Sequence, residues 1–329
     1  MSITVKAVSE LERVALAALL AHGTNPKNAG PVARAIALAE AEGNSVCGLF
    51  YLPIFCEHLR CGKVDGTATA IVDVDGPIVR VDAAFGFAHP AIAAGLVPLV
   101  AAAQSFGIAA LSVRNSYNCL ALGHHVRPIA DSGLIGICMS NAPASVSPPG
   151  ARERLFGTNP LAFAVPSIAG EPILVDQSMS AVTKTAMILR RQRGEAIPEG
   201  WAQDRAGNAV TDAAAGLEGS LLPAGGQKGA NIALLIELLA AALTGSQLSV
   251  QASSFGDNEG GPPSVGQFFI AIDPGHFAGQ EFARLTSELA SAFDMARVRM
   301  PGSERKLATS VQLESNLWRE ACKLAALRI

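Results

Sequence analysis

Apolar residues near the start of the chain recur every three to four positions, the spacing of one face of an α-helix. Three such segments follow one another, at 9–23, 25–43 and 51–64. Gly43 stands at the end of the second segment, where glycine commonly ends a helix. The opening part of the chain is therefore predicted to be helical.

The pattern changes near residue 70 to short β-branched runs. Residues 68–83 alternate apolar and polar positions around an Asp-Gly turn, which predicts a β-hairpin. Helices are predicted at 88–107 and 126–133. Further apolar strands are predicted at 108–116, 134–143, 161–167, 172–178 and 265–274. This alternation predicts an α/β fold in which helices pack on a mixed sheet.

Two segments interrupt or close this pattern. Residues 190–225 are polar and carry glycine and proline, which favours a long excursion that serves as a lid or a dimer arm. Residues 229–245 are almost entirely apolar, which predicts a buried helix. A helix at 281–293 and a closing helix at 311–327 complete the chain, and the closing helix is expected to pack on the first three.

The change of pattern predicts two domains. The first is a helical region at 1–70, joined by the C-terminal helices of 280–329. The second is an α/β domain at 71–279, which is expected to bind cofactor and substrate.

Composition narrows the function. The net charge of -3 and the pI near 6.1 argue against a nucleic-acid partner. Only 16% of residues are charged, which favours an oligomer whose subunits cover each other's surface. The N-terminus lacks the features of a signal peptide, and no apolar run is long enough to span a membrane. The expected location is therefore the cytoplasm, without membrane contact.

The six cysteines show neither paired spacing nor companion histidines at zinc-ligand spacing. Buried free thiols and no bound metal are the expectation. Cys47 and Cys119 are left open, because each lies in a segment that could carry chemistry.

Familiar catalytic motifs are missing. No G-x-G-x-x-G follows a strand, and neither a Walker A motif nor a G-x-S-x-G elbow occurs. Four loops remain as candidates. GTNP (157–160) is either a structural turn or part of a binding site, and GHH (123–125) places two imidazoles beside a polar loop. PAGGQKG (223–229) precedes an apolar helix, as an anion-binding site would, and RMPGSER (299–305) is a basic loop.

Together, GTNPLAFAVP, PILVDQSMSAV, RGEAIPEGWA, LLPAGGQKGANIALLIELLAAALTG and IAIDPGHF resemble the type-2 malate/L-lactate dehydrogenase family over about residues 8–325. The resemblance implies a homodimeric oxidoreductase that binds a nicotinamide cofactor in a fold unlike Rossmann. Residues 249–274 look more like the Δ1-piperideine-2-carboxylate/Δ1-pyrroline-2-carboxylate reductases of that family.

The resemblance, together with the departures from it described below, gives the candidate site residues. The catalytic set is Cys47, Asn118 and His124, and the substrate set is Tyr51, His124, Thr158, Asn159 and Ser178. The loop 115–118 is expected to contact the nicotinamide. The cofactor set is Asn118, Cys119, Leu120, Asp176, Gln177, Gln227, Lys228, Arg299, Pro301, Gly302, Glu304 and Arg305.

The chain departs from the family where the proton donor is expected. The family usually has Ser-His-Gly, followed three residues on by an arginine that grips the substrate carboxylate. Here the same place reads Val46, Cys47, Gly48 and Tyr51, and the histidine of the 115–118 loop is Asn118. Both the usual acid and the usual carboxylate clamp are therefore missing.

These departures favour a substrate that brings its own proton. A ketone becomes an alkoxide on reduction and needs an acid, whereas a protonated cyclic imine becomes a neutral amine directly. Cys47 is either a proton donor or a filler of the vacated space. The carboxylate could bind His124, His125, Lys184 or Tyr51, with His124 favoured because its loop should face the nicotinamide.

Three functions are compatible with this pattern. The first is reduction of cyclic 2-imino acids to L-proline or L-pipecolate. The second is a 2-oxo acid reductase or 2-hydroxy acid dehydrogenase, and the third is a decayed member that only binds cofactor. Arg299, Arg305 and Lys306 would suit a 2′-phosphate, which favours NADPH over the alternative, NADH.

Overall fold

The computed structural model describes residues 2–167, 170–303 and 307–326. The helices, in chain order, are α1 (Val8–Ala21), α2 (Pro26–Ala41), α3 (Tyr51–Cys61), α4 (Ala88–Phe106), α5 (Gly123–Asp131), α6 (Lys184–Arg193), α7 (Ala213–Glu218), α8 (Gln227–Glu237), α9 (Gln280–Met295) and α10 (Ser315–Leu324). The strands are β1 (Ile3–Ala7), β2 (Ile71–Asp75), β3 (Ile78–Asp82), β4 (Ile108–Ser116), β5 (Ile135–Ser140), β6 (Leu161–Val165), β7 (Ile173–Gln177), β8 (Ala202–Gln203), β9 (Ala209–Val210), β10 (Ser220–Leu221), β11 (Val265–Ile272) and β12 (Ser310–Glu314).

A seven-stranded mixed sheet forms the centre of the molecule, in the order β2-β3-β4-β11-β5-β6-β7. Only β3 and β4 run parallel, and the other neighbours are antiparallel. Alternate residues of β4 and β11 are buried against α4, as the sequence pattern predicted, and α5 packs on β5 and β6. The predicted α/β class with a mixed sheet is confirmed.

The first three helices pack together with α10 around one apolar core, which includes Leu11, Ile36, Phe55 and Trp318. Strand β1 pairs antiparallel with β12, so the two ends of the chain meet in a small sheet. Neither strand is predicted from the sequence pattern, because each is five residues long and is stabilised by a partner about 300 positions away. The boundaries of the two predicted domains stay a prediction.

The polar excursion is a folded unit. Helices α6 and α7 pack beside the three-stranded sheet β10-β8-β9. This unit has its own small core, which includes Val146, Met187, Ile197 and Leu221. Its helix α6 begins at the cavity described below, so the unit supplies part of the site.

The expectation that residues 229–245 form a buried helix is wrong for the single chain. Helix α8 and the π-helical turn after it bury Ala233, Ile236 and Ala240. The other face exposes large apolar side chains: Ile232, Leu234, Leu235, Leu238 and Leu243. An all-round apolar helix thus has only one side covered by its own chain.

Among the described residues, α4 is the one helix that is long and apolar enough to cross a membrane by length and composition. In the structure α4 packs on β3 and β4, and its buried side chains include Ile92 and Leu99. It therefore serves as a core helix of the sheet.

Candidate active site

A cavity of about 300 Å³ opens at the edge of the sheet where β4, β5 and β7 end and β6 and β11 begin. Its far wall comes from the turn before α3, from α3 itself and from the start of α6. Nine of the predicted site residues line it: Cys47, Tyr51, Asn118, Cys119, Leu120, Thr158, Asp176, Gln177 and Ser178. Motifs distant in sequence thus meet in one place.

Cys47 lies on a short 3-10 turn between α2 and α3. The buried Glu40 side chain accepts a hydrogen bond from the Leu49 backbone N–H at 2.7 Å, and a Cβ at Gly48 would collide with the same carboxyl group. Burial, and then the nearby Asp176 carboxylate, raise the pKa of the Cys47 thiol to about 12. The thiol is therefore protonated at neutral pH, and it is a much weaker acid than a histidine.

The loop after β4 is held by side chains that point away from the cavity. Asn115 donates to Asp82 at 3.1 Å, Ser116 donates to Gln267 at 2.7 Å, and the Tyr117 hydroxyl bonds to His58. Of the 115–118 segment, only Asn118 lines the cavity. The side chains of residues 115–117 fix the loop and do not face the cavity, whereas a contact of the whole 115–118 loop with the nicotinamide was expected.

Asn118 shapes the backbone next to the cavity. Its Oδ1 accepts a hydrogen bond from the Leu120 N–H at 2.8 Å, and Leu120 adopts a left-handed φ of 55°. Such a conformation is costly for leucine and is typical of functional sites. Asp176 Oδ2 accepts from the Gly123 N–H at 2.8 Å and ties the far end of the same loop to β7. Cys119 and Leu120 are thereby presented to the cavity.

The preference for His124 is not supported by its position. His124 lies in the first turn of α5 and not in a loop, and it is not among the residues that line the cavity. Its Nε2 contacts Glu42 Oε2 at 3.0 Å, and its side chain is 7% exposed. His125 is buried beneath it and bonds to the Cys119 carbonyl at 3.0 Å. Both imidazoles thus belong to the packing of α5, which begins three residues earlier than predicted.

Thr158 and Asn159 have different positions. Thr158 lines the cavity, while Asn159 is fully buried with a left-handed φ of 37°. The Asn159 amide donates to Glu237 Oε2 at 2.9 Å, and the same carboxylate accepts from the Ser249 hydroxyl at 2.6 Å. Asn159 therefore supports the cavity wall from behind, whereas a direct substrate contact was expected.

The predicted cofactor loops flank β7 and its continuation. At one end Leu174 donates to the Pro301 carbonyl at 3.1 Å, and Gly302 packs so closely there that a Cβ would meet Leu174. At the other end Ala224 donates to the Met179 carbonyl at 2.8 Å. The exposed residues Gln227, Lys228 and Arg299 lie outside the cavity lining, and Glu304 and Arg305 lie outside the described residues.

These surroundings fit a nicotinamide dinucleotide. Leu120, Pro160 and Val265 offer apolar contact for a ring, and Gln177 and Ser178 offer polar groups at the mouth. Beyond Met179, Gly225 and Gly226 both have φ of 64° with open space where a Cβ would be, directly before the N-terminus of α8. Successive amides of this kind form an anion cradle suited to phosphate.

Two features of the cavity were undervalued or missed in the sequence. Lys184, the first residue of α6, lines the cavity, as do Phe255 and Gly256. The 254–259 loop is fixed by Lys63, whose buried ammonium donates to three of its carbonyls. In the sequence, Lys63 is a single lysine at the end of a predicted helix, and nothing around it indicates that its side chain would be buried.

The family model described as malate/L-lactate dehydrogenase matches residues 7–319. The chain belongs to the malate/L-lactate dehydrogenase family. It is therefore a member of an oxidoreductase family, and the predicted non-Rossmann class is confirmed.

Individual relatives cover most of the chain. A (2R)-3-sulfolactate dehydrogenase (NADP(+)) from Chromohalobacter salexigens is 41% identical over 90% of this chain and 89% of its own length. A Δ1-pyrroline-2-carboxylate/Δ1-piperideine-2-carboxylate reductase from Pseudomonas putida is 41% identical over 90% and 88%. The crystal structure of a Δ1-piperideine-2-carboxylate reductase from Pseudomonas syringae pathovar tomato superposes with TM-score 0.92 at 36% identity, covering 98% of this chain and 99% of that one.

Proposed function

We propose that the protein is an NADPH-dependent reductase of cyclic 2-imino acids, which converts Δ1-pyrroline-2-carboxylate to L-proline and Δ1-piperideine-2-carboxylate to L-pipecolate. The observation that carries this proposal is the group at the proton-donor position. Cys47 occupies it with a pKa raised to about 12 by burial and by Asp176, and His124 does not line the cavity.

The proposed substrate does not require an acid from the protein. A nicotinamide cofactor would supply a hydride, that is one proton with two electrons, for addition to carbon 2 of the imine. The electrons of the C=N bond pass to nitrogen, which keeps the proton it entered with and becomes a neutral amine. The protein therefore has to bind, orient and desolvate the iminium, and the apolar lining of the cavity serves that purpose.

The residues that would hold the cofactor are those around β7. Gln177 and Ser178 lie at the cavity mouth, the Gly225–Gly226 turn with Lys228 suits the phosphates, and Arg299 lies on the basic loop near Pro301. Relatives named as NADP(+)-dependent or as pyrroline-2-carboxylate reductases support NADPH as the cofactor.

A 2-hydroxy acid dehydrogenase is the second candidate, because the sulfolactate dehydrogenase is as similar in sequence as the imine reductase. This reaction needs a group that exchanges a proton with the hydroxyl oxygen. Cys47 is the group at that position, and its raised pKa makes it a poor match near neutral pH. The imine substrate is therefore favoured.

We also propose a homodimer located in the cytoplasm, with no membrane or nucleic-acid partner. The exposed leucines of α8 and its following turn give a continuous apolar face on one helix, which favours contact with a second copy.

The variant Cys47→Ala tests the proposal. With NADPH and Δ1-pyrroline-2-carboxylate, kcat should stay within about 3-fold of the wild type, since no obligatory proton transfer is removed. The acidic and basic limbs of the pH profile should also keep their positions. A loss of about 100-fold or more in kcat, with NADPH binding intact, would show that Cys47 is the acid and would contradict the proposal.

A further inference from the structure

We propose that the cavity recognises its substrate as a zwitterion, with Lys184 binding the carboxylate and Asp176 lying beside the positively charged iminium nitrogen. This inference rests on the proposed function and names how its substrate is held. It also assigns the clamp that replaces the arginine usual in the family, at a position on a different element of the fold.

Lys184 stands at an anion-attracting end of a helix. It is the first residue of the ten-residue helix α6, and the N-cap Thr183 accepts from the Ala186 N–H at 3.1 Å. Thr183, Lys184 and Thr185 all line the cavity. The first N–H groups of a helix lack intrahelical partners and carry partial positive charge. They therefore attract an anion together with the Lys184 ammonium.

The Lys184 ammonium has no directly bonded counter-ion among the described residues, and the Asp257 carboxylate attracts it only from beyond ion-pair distance. In residues 2–167, 170–303 and 307–326 it makes no hydrogen bond or ion pair, although it is half-buried. Burial, and then the charge of Arg154, lower its pKa, so the structure holds this cation at a cost. A carboxylate bound in the cavity would supply the missing partner.

Asp176 provides the opposite charge. It lies near the end of β7 and lines the cavity, where its Oδ2 accepts from the Gly123 N–H. Its field reaches the neighbouring thiols, since it contributes to the raised pKa of both Cys47 and Cys119. A group that disfavours a thiolate nearby favours a cation in the same space. The iminium nitrogen is such a cation.

The count of charges separates the substrate classes. Of the described residues that line the cavity, Lys184 and Asp176 are the two that carry charge. A cyclic imino acid in its iminium form has one negative and one positive group, which matches this pair. Malate and sulfolactate each have two anionic groups, so the second anion would face Asp176 without a cation. Such like-charge juxtaposition disfavours binding of the doubly charged acids.

Binding of stable ligands tests each half of the pair independently of turnover. The wild type and Lys184→Met would be titrated calorimetrically, in the presence of NADP⁺, with pyrrole-2-carboxylate, a neutral ring that carries one carboxylate. Lys184→Met should raise Kd by about 100-fold, Lys184→Arg by less than about 10-fold, and the exposed control Lys27→Met not at all. Asp176→Asn should weaken L-proline by at least about 10-fold and leave pyrrole-2-carboxylate unchanged.

The outcomes of the inference and of the proposed function can be told apart. Equal affinity of the wild type and Lys184→Met for pyrrole-2-carboxylate overturns the clamp, whether or not the enzyme reduces cyclic imines. Equal loss of both ligands in Asp176→Asn overturns the role of Asp176. A wild type that binds pyrrole-2-carboxylate through Lys184 but turns over no cyclic imine would support the clamp while contradicting the proposed reaction.

Discussion

The buried lysine behind the cavity gives the sharpest structural prediction. Lys63 has no exposed side-chain surface, and its ammonium donates to the carbonyls of Ser254, Asp257 and Glu259 at 2.6, 3.0 and 2.8 Å. These bonds close the loop whose Phe255 forms part of the cavity wall. Substitution by methionine keeps the length of the side chain and removes all three bonds.

The expected cost follows from what is left behind. Three buried carbonyls lose a charged donor, at about 1.5–3 kcal/mol each, and the recovered desolvation of the ammonium offsets part of this sum. We therefore expect Lys63→Met to lower the free energy of unfolding by about 3–5 kcal/mol, which is the loss of the three bonds less the recovered desolvation. The exposed Lys27→Met is the matched control and should change stability by less than about 0.5 kcal/mol.

Two measurements, made well below the unfolding temperature, distinguish a local opening of the 254–259 loop from unfolding of the whole protein. Limited proteolysis should cut the variant between residues 254 and 261, while the wild type stays intact. The KM for the imino acid should rise by about 10-fold with a smaller change in kcat, because Phe255 no longer holds its place in the wall. Unchanged denaturation midpoint, proteolysis and KM in Lys63→Met would refute the reasoning.

Three further outcomes are expected. Burial lowers the pKa of His125 to about 4, below its ordinary value near 6.5, so on acidification the unfolded chain takes up a proton before the folded chain does. The free energy of unfolding should therefore fall by about 3 kcal/mol as the pH drops from 6.5 to 4. The variant His125→Gln keeps a donor for the Cys119 carbonyl and should flatten this pH dependence in urea titrations, and an unchanged pH dependence would contradict the assignment. Leu235→Glu places a charge on the exposed face of α8 and should halve the mass measured by light scattering if that face is the dimer contact, whereas a mass equal to the wild type's would exclude it. Lys228→Ala should raise the Kd for NADPH by about 10-fold without changing pyrrole-2-carboxylate binding, and equal affinity would show that Lys228 does not bind a phosphate of the cofactor.

The sequence predicted most of the elements because their signals are local. Buried and partly exposed residues alternate along β11, and α3 is capped by Gly62, which has a left-handed φ of 78°. The hairpin β2-β3 forms around its Asp-Gly turn. The missed strands β1 and β12 depend on each other and have no local signal strong enough to stand alone. Burial of α8 was overestimated because an apolar face looks the same whether its own chain or another chain covers it.

The site was predicted in outline but not in its electrostatics. Motif order brought nine residues to the cavity, yet the choice of His124 as the clamp failed because α5 begins at Gly123 and turns that side chain toward Glu42. Lys184 was also a candidate for the carboxylate but was ranked below His124. Its position at the start of α6, beside the cavity, depends on the folding of α6, α7 and the sheet β10-β8-β9, which the sequence pattern does not predict. The chain therefore specifies which motifs meet more clearly than which charges face the substrate.

The central claim is that the substrate brings its own proton, and a comparison of substrates tests it most directly. Purified protein with NADPH would be given Δ1-pyrroline-2-carboxylate, Δ1-piperideine-2-carboxylate, pyruvate, oxaloacetate and sulfopyruvate, while oxidation of the reduced nicotinamide is followed by absorbance. We expect kcat/KM for the two cyclic imines to exceed that for every oxo acid by at least about 100-fold. Equal or faster turnover of an oxo acid would contradict the account, because it would show that a group of the protein supplies the proton.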